Sequence, residues 1–473
     1  MKKILIIPIL LLVLSSCNKD TSNLNIDTKH ASTAPSYALF SNGQRNLADV
    51  LATPNVNINI FQLITQQWTE VTYVDESNYD LGTRNISNNW WRAMYKTVLI
   101  NLEAAKAGVS KDVDNADEQK NDLAMIDIME VYTWQVLVNT YGNIPYKEAL
   151  DPNNLFPKYD DAKTIYYDLL SRLDTSIAAL NPSAASFGSA DLVYGGDIAK
   201  WQKFANSLKL NMGMVIADSD PAKAQAAVES AAPNVFTSNA DNAVFTYFSA
   251  TPNVNPVWTN LVQSGRNDYV PSKTIVDLMN TLNDPRRSEF FTTIDGVYKG
   301  GTVGIGNSFA SYSHPSDKVE QPDFPYIFLS YSQVEFDLAE AAARGFNVGG
   351  GTAAAHYATA IEASLDYWGV PASAVAAYLA QPSVAYATAP GSYKQKIGIQ
   401  EYISLYMDGF GAWTVQRRLD FPALVAPPTA QSAFPVRYTY PVSEQNLNSQ
   451  SWTAASSTIG GDKVDTKLWW DIN

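Results

Sequence analysis

The sequence predicts a mainly α-helical protein in which helices pack as pairs, with one irregular, loop-rich side and few short strands. Apolar residues recur at three- and four-residue spacing along several long segments, the mark of one helix face. These segments come two by two. Between the second and third pairs, from about residue 235 to 330, the periodicity gives way to Pro, Asn, Ser, Gly and aromatics. Long irregular segments hung on a rigid scaffold usually carry function.

The first pair opens with Trp91, Met94 or Tyr95, Val98 and Leu102 on one face. Its partner, Asp122 to Tyr141, is apolar nearly all round, as a buried helix is, and stops at Gly142. The second pair starts after Asp160 and Asp161, candidate caps, with Ile165, Leu169, Leu173, Ile177 and Leu180 as its stripe before Pro182. Trp201, Phe204, Leu208, Met212 and Val215 form the partner stripe, capped by Asp197. The third pair begins with Ser332 and Glu335 in capping-box spacing and ends at Gly345; its partner carries Tyr357, Ile361, Leu365 and Trp368 before Gly369. One further helix is expected over 394–418, and a short one over 272–282 within the irregular stretch. The pairs resemble tetratricopeptide units in size, without that repeat's consensus.

The two ends differ sharply. Met1-Lys2-Lys3 leads into an apolar stretch, Ile4 to Leu14, that closes on Ser15, Ser16 and Cys17. It is too short to span a bilayer, which takes about 20 residues, so residues 1–16 read as a cleaved export signal. Leu14-Ser15-Ser16-Cys17 resembles the bacterial lipobox, which makes Cys17 the expected lipid-attachment site. Cys17 is also the sole cysteine, so an exported chain has no disulfide to form with it. Residues 17–33 are polar and aperiodic, a flexible tether, and Lys19 and Asp20 resemble the charged signal that sends Bacteroidetes lipoproteins to the cell surface. Residues 34–473 read as a single domain.

A net charge of −14 repels phosphate backbones, so nucleic acid is excluded as a partner. Charged residues are 17% of the chain and aromatics 12%, ample for a large core. The 11 Trp and 26 Tyr mostly pack that core, but they also suit the apolar C–H faces of sugar rings.

Several stretches then match a known family in order. Asn139 to Leu150 (NTYGNIPYKEAL), followed by Pro157-Lys158-Tyr159-Asp160, resembles the hallmark turn of the SusD/RagB-like outer-membrane lipoproteins, more narrowly their second SusD-like group. GGDIAKWQKFANSLKL, Asp284-Pro285-Arg286, SQVEFDLAEAAARG, Tyr367-Trp368, the segment 399–419 and PVRYTYPVSEQNLN continue that order across nearly all of the mature chain. The resemblance implies a helical body with tetratricopeptide-like pairs, an irregular ligand-facing side, and a TonB-dependent barrel of the SusC type as partner. It implies cell-surface binding of an oligosaccharide or peptide and its delivery to that transporter.

Two clusters are the candidate ligand site. The loop before the first long helix holds Trp68, Tyr73, Asp75, Glu76, Tyr79, Arg84, Asn88, Asn89, Trp90 and Trp91, the aromatic faces, amides and charges that a polyol needs. Trp91 falls on the helical stripe and reads as core, which leaves Trp68, Tyr73, Tyr79 and Trp90. The second cluster is Asn255, Trp258, Arg266, Asp268 and Tyr269, with Tyr312, and beside it His314, from a later loop; Arg266 and Asp268 can equally form a structural bridge. Catalysis finds little support. The three His are His30, His314 and His356, with no metal-ligand spacing, and no Gly-x-Ser-x-Gly elbow is present. No cofactor or metal is expected. A glycosidase needs only two carboxylates, so a glycan-degrading enzyme is the alternative, and a structural surface lipoprotein the third reading.

Overall fold

The computed structural model describes residues 34–473; the expected export signal, Cys17 and the expected tether lie outside the described residues. Helices hold 52% of the chain and strands 5%, so the class is mainly α with few short strands. Its first helix, α1 (Ser36–Ala52), was not expected from the periodicity. It packs on α2, which joins an α segment (Ile86–Arg92), a π segment (Ala93–Leu99) and a second α segment (Ile100–Asp112). The contact is made through Gly43, where a Cβ would stand 2.6 Å from Leu102 Cδ2. A side chain at position 43 would require Leu102 to move.

That extra helix shifts the pairing. α3 (Ala116–Tyr141) starts earlier than Asp122, because Asn115 accepts from the amides of Asp117 and Glu118, and it packs most extensively on α4 (Ala162–Ala179), with α2 as its other neighbour. Asp161 caps α4 and Asp197 caps α5 (Ile198–Val215), as expected. The main partner of α5 is α6 (Pro221–Ala231), whose buried face is Ala224, Ala227, Val228 and Ala231. Here Gly213 is the point of approach, with Val228 Cγ2 2.9 Å from where a Cβ would be. α6 turns a face of small residues to its partner, whereas α1 buries Phe40, Leu47 and Leu51 around Gly43.

The short helix α7 (Lys273–Thr281) is capped by Ser272. The third pair is α8 (Tyr331–Ala343) against α9 (Ala353–Trp368). Its cap is Ser330, accepting from the Gln333 amide, and not Ser332, whose hydroxyl donates to the Ala360 carbonyl across the pair. After α10 (Ala372–Leu379), the helix expected over 394–418 is two: α11 (Tyr393–Ser404) and α12 (Gly409–Leu419). Met407 takes φ 76° and Asp408 caps α12. The break lets Gly409 meet the turn Phe61–Ile64, where a Cβ would stand 2.5 Å from the Gln62 amide. α13 (Val442–Leu447) and α14 (Ser449–Thr458) complete the chain.

Arg418 on α12 joins the C-terminal helices from within. It meets Asp337 at 3.3 Å, Glu401 at 3.4 Å, and Glu340, all fully buried. Three carboxylates around one guanidinium leave the group short of positive charge, although Arg344 also reaches Glu340 at 2.7 Å. Burial pushes Glu401 well up and Asp337 up to about 6.

The strands form three antiparallel two-stranded ribbons. β1 (Trp68–Glu70) pairs with β5 (Tyr269–Pro271), β2 (Ile144–Pro145) with β3 (Tyr159–Asp160), and β4 (Ala243–Phe245) with β6 (Tyr326–Leu329). Among the described residues, no helix is long and apolar enough to cross a membrane.

Candidate functional site

The two candidate clusters, far apart in the sequence, meet at the β1–β5 ribbon. Its register sets Trp68 opposite Pro271, Thr69 opposite Val270 and Glu70 opposite Tyr269. Beyond Glu70 the chain turns through Thr72 and Tyr73; before Tyr269 it comes from Arg266 and Asp268. These ends wall a cleft of about 270 Å³, with Asn55, Val56 and Asn57 from the turn after α1, Arg84, and Asn260 completing it.

Tyr73 is 69% exposed and offers the cleft's open aromatic face. Arg266 bridges Asp268 at 2.7 Å, the structural pairing anticipated for them, yet the Arg266 side chain stays 62% exposed. An ion pair that open contributes at most about 1 kcal/mol, so its groups remain available to a ligand. Arg84 sits lower, held at 2.6 Å by the fully buried Glu76.

Glu70 lines the cleft and is buried, with one oxygen accepting the Ser77 amide at 2.8 Å while its own amide donates to Ser77 Oγ at 3.1 Å. Burial first, then the adjacent Glu76 carboxyl, push Glu70 up to about 8, so the folded protein favours its neutral form. Such a pair does not fit glycoside hydrolysis. The two carboxyls of a glycosidase stand about 5 Å or more apart to flank the bond, whereas these touch. Among the described residues, no group of His, Cys, Asp and Glu is placed to hold a metal ion.

The other expected site residues do not offer open faces. Trp68 is 1% exposed; its ring stacks on Tyr269 with centroids 5.5 Å apart, and its indole N–H donates to the Tyr406 hydroxyl at 2.9 Å. Trp90 is fully buried, edge-on to Phe61. Tyr79 is buried with its hydroxyl accepting from Gln66 Nε2 at 2.8 Å. Tyr269 is also buried, its hydroxyl on the Pro54 carbonyl at 2.6 Å, and only its edge reaches the cleft. Expecting these four as stacking platforms is corrected: Trp68 and Tyr269 lie on strands whose every residue is buried, so the ribbon has no solvent side, while Trp90 is closed in by Phe61 and Tyr79 by Phe434.

Asn255 is buried too, accepting the Val257 amide and donating to the Phe324 carbonyl, both at 2.7 Å, and so it fixes the irregular stretch. Trp258 is half-buried at the start of the π segment Trp258–Gln263, which also carries Asn260. Tyr312 lies outside the cleft lining, with Lys299 Nζ 5.0 Å over its ring. Its loop is tied to the ribbon by Asn307, which donates to the Glu70 carbonyl at 2.9 Å.

Sequence reasoning missed Asn55, Val56, Asn57, Glu70, Thr72 and Asn260. One signal existed: Ala52-Thr53-Pro54-Asn55-Val56-Asn57 recurs as Ala250-Thr251-Pro252-Asn253-Val254-Asn255. Only the first copy reaches the cleft; Asn255 of the second is structural.

A stack of helix pairs carrying a polar cleft with one open aromatic ring is the arrangement a ligand-binding surface needs. The chain belongs to the SusD-like family described as "starch-binding associating with outer membrane", whose family model matches residues 27–441. A solved chitin-binding protein is similar at 27% identity and TM-score 0.81, covering 93% of this chain and 100% of that one. A chitin-binding SusD homolog from Flavobacterium johnsoniae is 25% identical at TM-score 0.78, over 93% and 99%. A SusD homolog from Bacteroides uniformis is 27% identical at TM-score 0.77, over 92% and 100%. Among curated proteins none matches.

Proposed function

We propose that the chain captures an oligosaccharide at the cell surface in the ribbon cleft and delivers it to a TonB-dependent outer-membrane transporter of the SusC type. The observation that carries this reading is the convergence of the exposed Tyr73 ring with Arg84, Arg266 and three asparagines in one cleft. A sugar ring stacks its C–H face on the phenol while its hydroxyls take the guanidinium and amide donors. Chitin oligosaccharides are the first ligands to try, because two similar solved structures are chitin-binding proteins. The chain anchors in the outer membrane through acyl chains on Cys17, each buried CH₂ contributing about 0.8 kcal/mol.

Titration calorimetry of residues 34–473 against a panel of chitin, starch and other oligosaccharides and peptides tests it. Binding is expected at micromolar to millimolar Kd, because an open cleft with one stacking contact gains little. Tyr73→Ala weakens it about 2- to 10-fold, on the ~0.5–1.5 kcal/mol scale of aromatic contacts. Ligand recovered in cleaved form supports the enzyme reading, and no binding across the panel supports a structural role. For the anchor, Cys17→Ala is expected to move the protein from the outer-membrane fraction to the soluble one.

A further inference from the structure

We propose that the cavity at the break between α11 and α12 is a second ligand site, one that takes a small molecule bearing a primary ammonium. Its walls are the cap and start of α8 (Ser330, Gln333), the end of α9 (Ala363, Trp368), the strand β6 and the 404–408 turn that joins α11 to α12. It encloses about 60 Å³, room for several water molecules or one small organic group, and shares no lining residue with the ribbon cleft.

The cavity carries an uncompensated negative charge. Among the described residues that line it there is no Lys, Arg or His, and its one carboxylate is Asp408. That residue caps α12 with a single oxygen: Oδ1 accepts the Gly411 amide at 3.0 Å and, more distantly, the Tyr326 hydroxyl at 3.4 Å. Oδ2 accepts from no protein group among the described residues. Burial pushes the carboxyl up to about 6, opposed only by those two hydrogen bonds, so no cation of the protein offsets the charge it carries at pH 7. Two cations of the neighbourhood are engaged elsewhere. Arg418 lines the void of about 30 Å³ that shares Gln333 and Asp408 with this cavity, but it is held by Asp337, Glu340 and Glu401. Lys318 stands 5.5 Å over the Trp368 ring and is held by Glu289 at 3.1 Å.

A second acceptor calls for the same chemistry. Asn239 also lines the cavity, and its amide nitrogen donates to the Ala363 carbonyl at 2.9 Å and to Asp366 at 3.1 Å, which fixes the end of the amide that is nitrogen. Its side-chain oxygen is then buried with no partner. A buried acceptor without a donor costs stability, and a ligand N–H removes that cost.

The rest of the wall suits an apolar body. The Trp368 ring lies 6.0 Å from that of Phe324 and 6.1 Å from that of Tyr406, and all three line the cavity together with Val257 and Leu405. Among such groups a carboxylate attracts a cation more strongly than it does in water, and aromatic faces add to the attraction. A primary ammonium brings both the positive charge that Asp408 lacks and an N–H donor for Asn239. A neutral alcohol brings only the donor, and a quaternary ammonium only the charge.

The test titrates the full-length chain, in a non-ionic detergent, with benzylammonium, benzyl alcohol and benzyltrimethylammonium by calorimetry. Benzylammonium is expected to bind at least about tenfold more tightly than either of the others, the scale of one hydrogen bond to a charged group. Asp408→Asn is expected to remove that preference while α12 stays capped, since Asn caps a helix as well as Asp does. Tyr73→Ala leaves the binding unchanged, which separates this cavity from the ribbon cleft. The proposal is overturned if no probe binds, if either of the other two binds as tightly as benzylammonium, if Asp408→Asn keeps the preference, or if Tyr73→Ala abolishes the binding. Should Asp408→Asn fail to fold, the comparison of the three probes on the wild type decides alone.

Discussion

The helix pairs and the ribbon side both bury tryptophan, and they do so by different routes. Trp201 on α5 is closed in by Phe40, Tyr194 and Phe204, and its indole N–H donates to Asp191 at 2.7 Å, only ten positions away in the chain. Trp68 on β1 is equally buried, but its stacking partner Tyr269 and its hydrogen-bond acceptor Tyr406 come from the other ribbon strand and from the C-terminal half. A helix declares its buried face through the spacing of its own residues. A three-residue strand covered on both faces declares nothing, because its neighbours arrive from elsewhere. The open surface of the cleft then falls to the residues that lie past the ribbon ends: Tyr73 on one strand, Arg266 and Asp268 on the other.

The largest effect tests that equivalence. Trp201→Ala and Trp68→Ala are each expected to destabilise by about 3–5 kcal/mol in chemical denaturation, since both delete a fully buried ring. If Trp68→Ala keeps wild-type stability and only loses ligand, the ribbon tryptophan is not the counterpart of the helical one.

Next comes the proton held under the cleft. Glu70 goes from an ordinary carboxyl near 4.5 in the unfolded chain to about 8 in the folded one, so the folded state favours the neutral form. That stabilisation is fully present below about pH 4.5 and is lost as pH rises through about 8. Denaturation midpoints measured across this window are expected to fall less steeply in Glu70→Gln than in wild type. Parallel curves for the two proteins would remove the raised Glu70 carboxyl from the account, and would make the cleft floor electrostatically no different from the rest of the core.

A smaller effect separates the open side chains from the buried ones. Tyr73→Ala is expected to leave the melting temperature within about 1–2 °C of wild type, as exposed positions change stability by less than ~0.5 kcal/mol, while weakening oligosaccharide binding. A large loss of stability would place Tyr73 with Trp68.

The smallest is the bridge at the rim. A double-mutant cycle on Arg266 and Asp268 is expected to give a coupling of only about 0.2–1 kcal/mol in stability. A coupling of several kcal/mol would show a structural clamp and not an available pair of charges.

The sequence by itself determined the mainly α class, the stripes that became α3, α4, α5, α8 and α9, and the caps Asp161 and Asp197, because helical periodicity and capping are local properties. It also held the family's motifs in order. It did not reveal α1, whose stripe of Phe40, Leu47 and Leu51 is interrupted by Gly43, or α6, whose buried face is mostly alanine, and so it paired the helices one step out of register. It did not show that 394–418 breaks at Met407, where the demand for the break comes from Gly409 meeting the Phe61–Ile64 turn. Of the candidate site, residue type alone pointed to Tyr73, Arg266 and Asp268, and equally to Trp68, Tyr79 and Trp90, which tertiary packing placed in the core. Only long-range contacts decided between them: the pairing of β1 with β5 covers Trp68 and leaves Tyr73 past the ribbon's open end, while Phe61 closes over Trp90 and Phe434 over Tyr79.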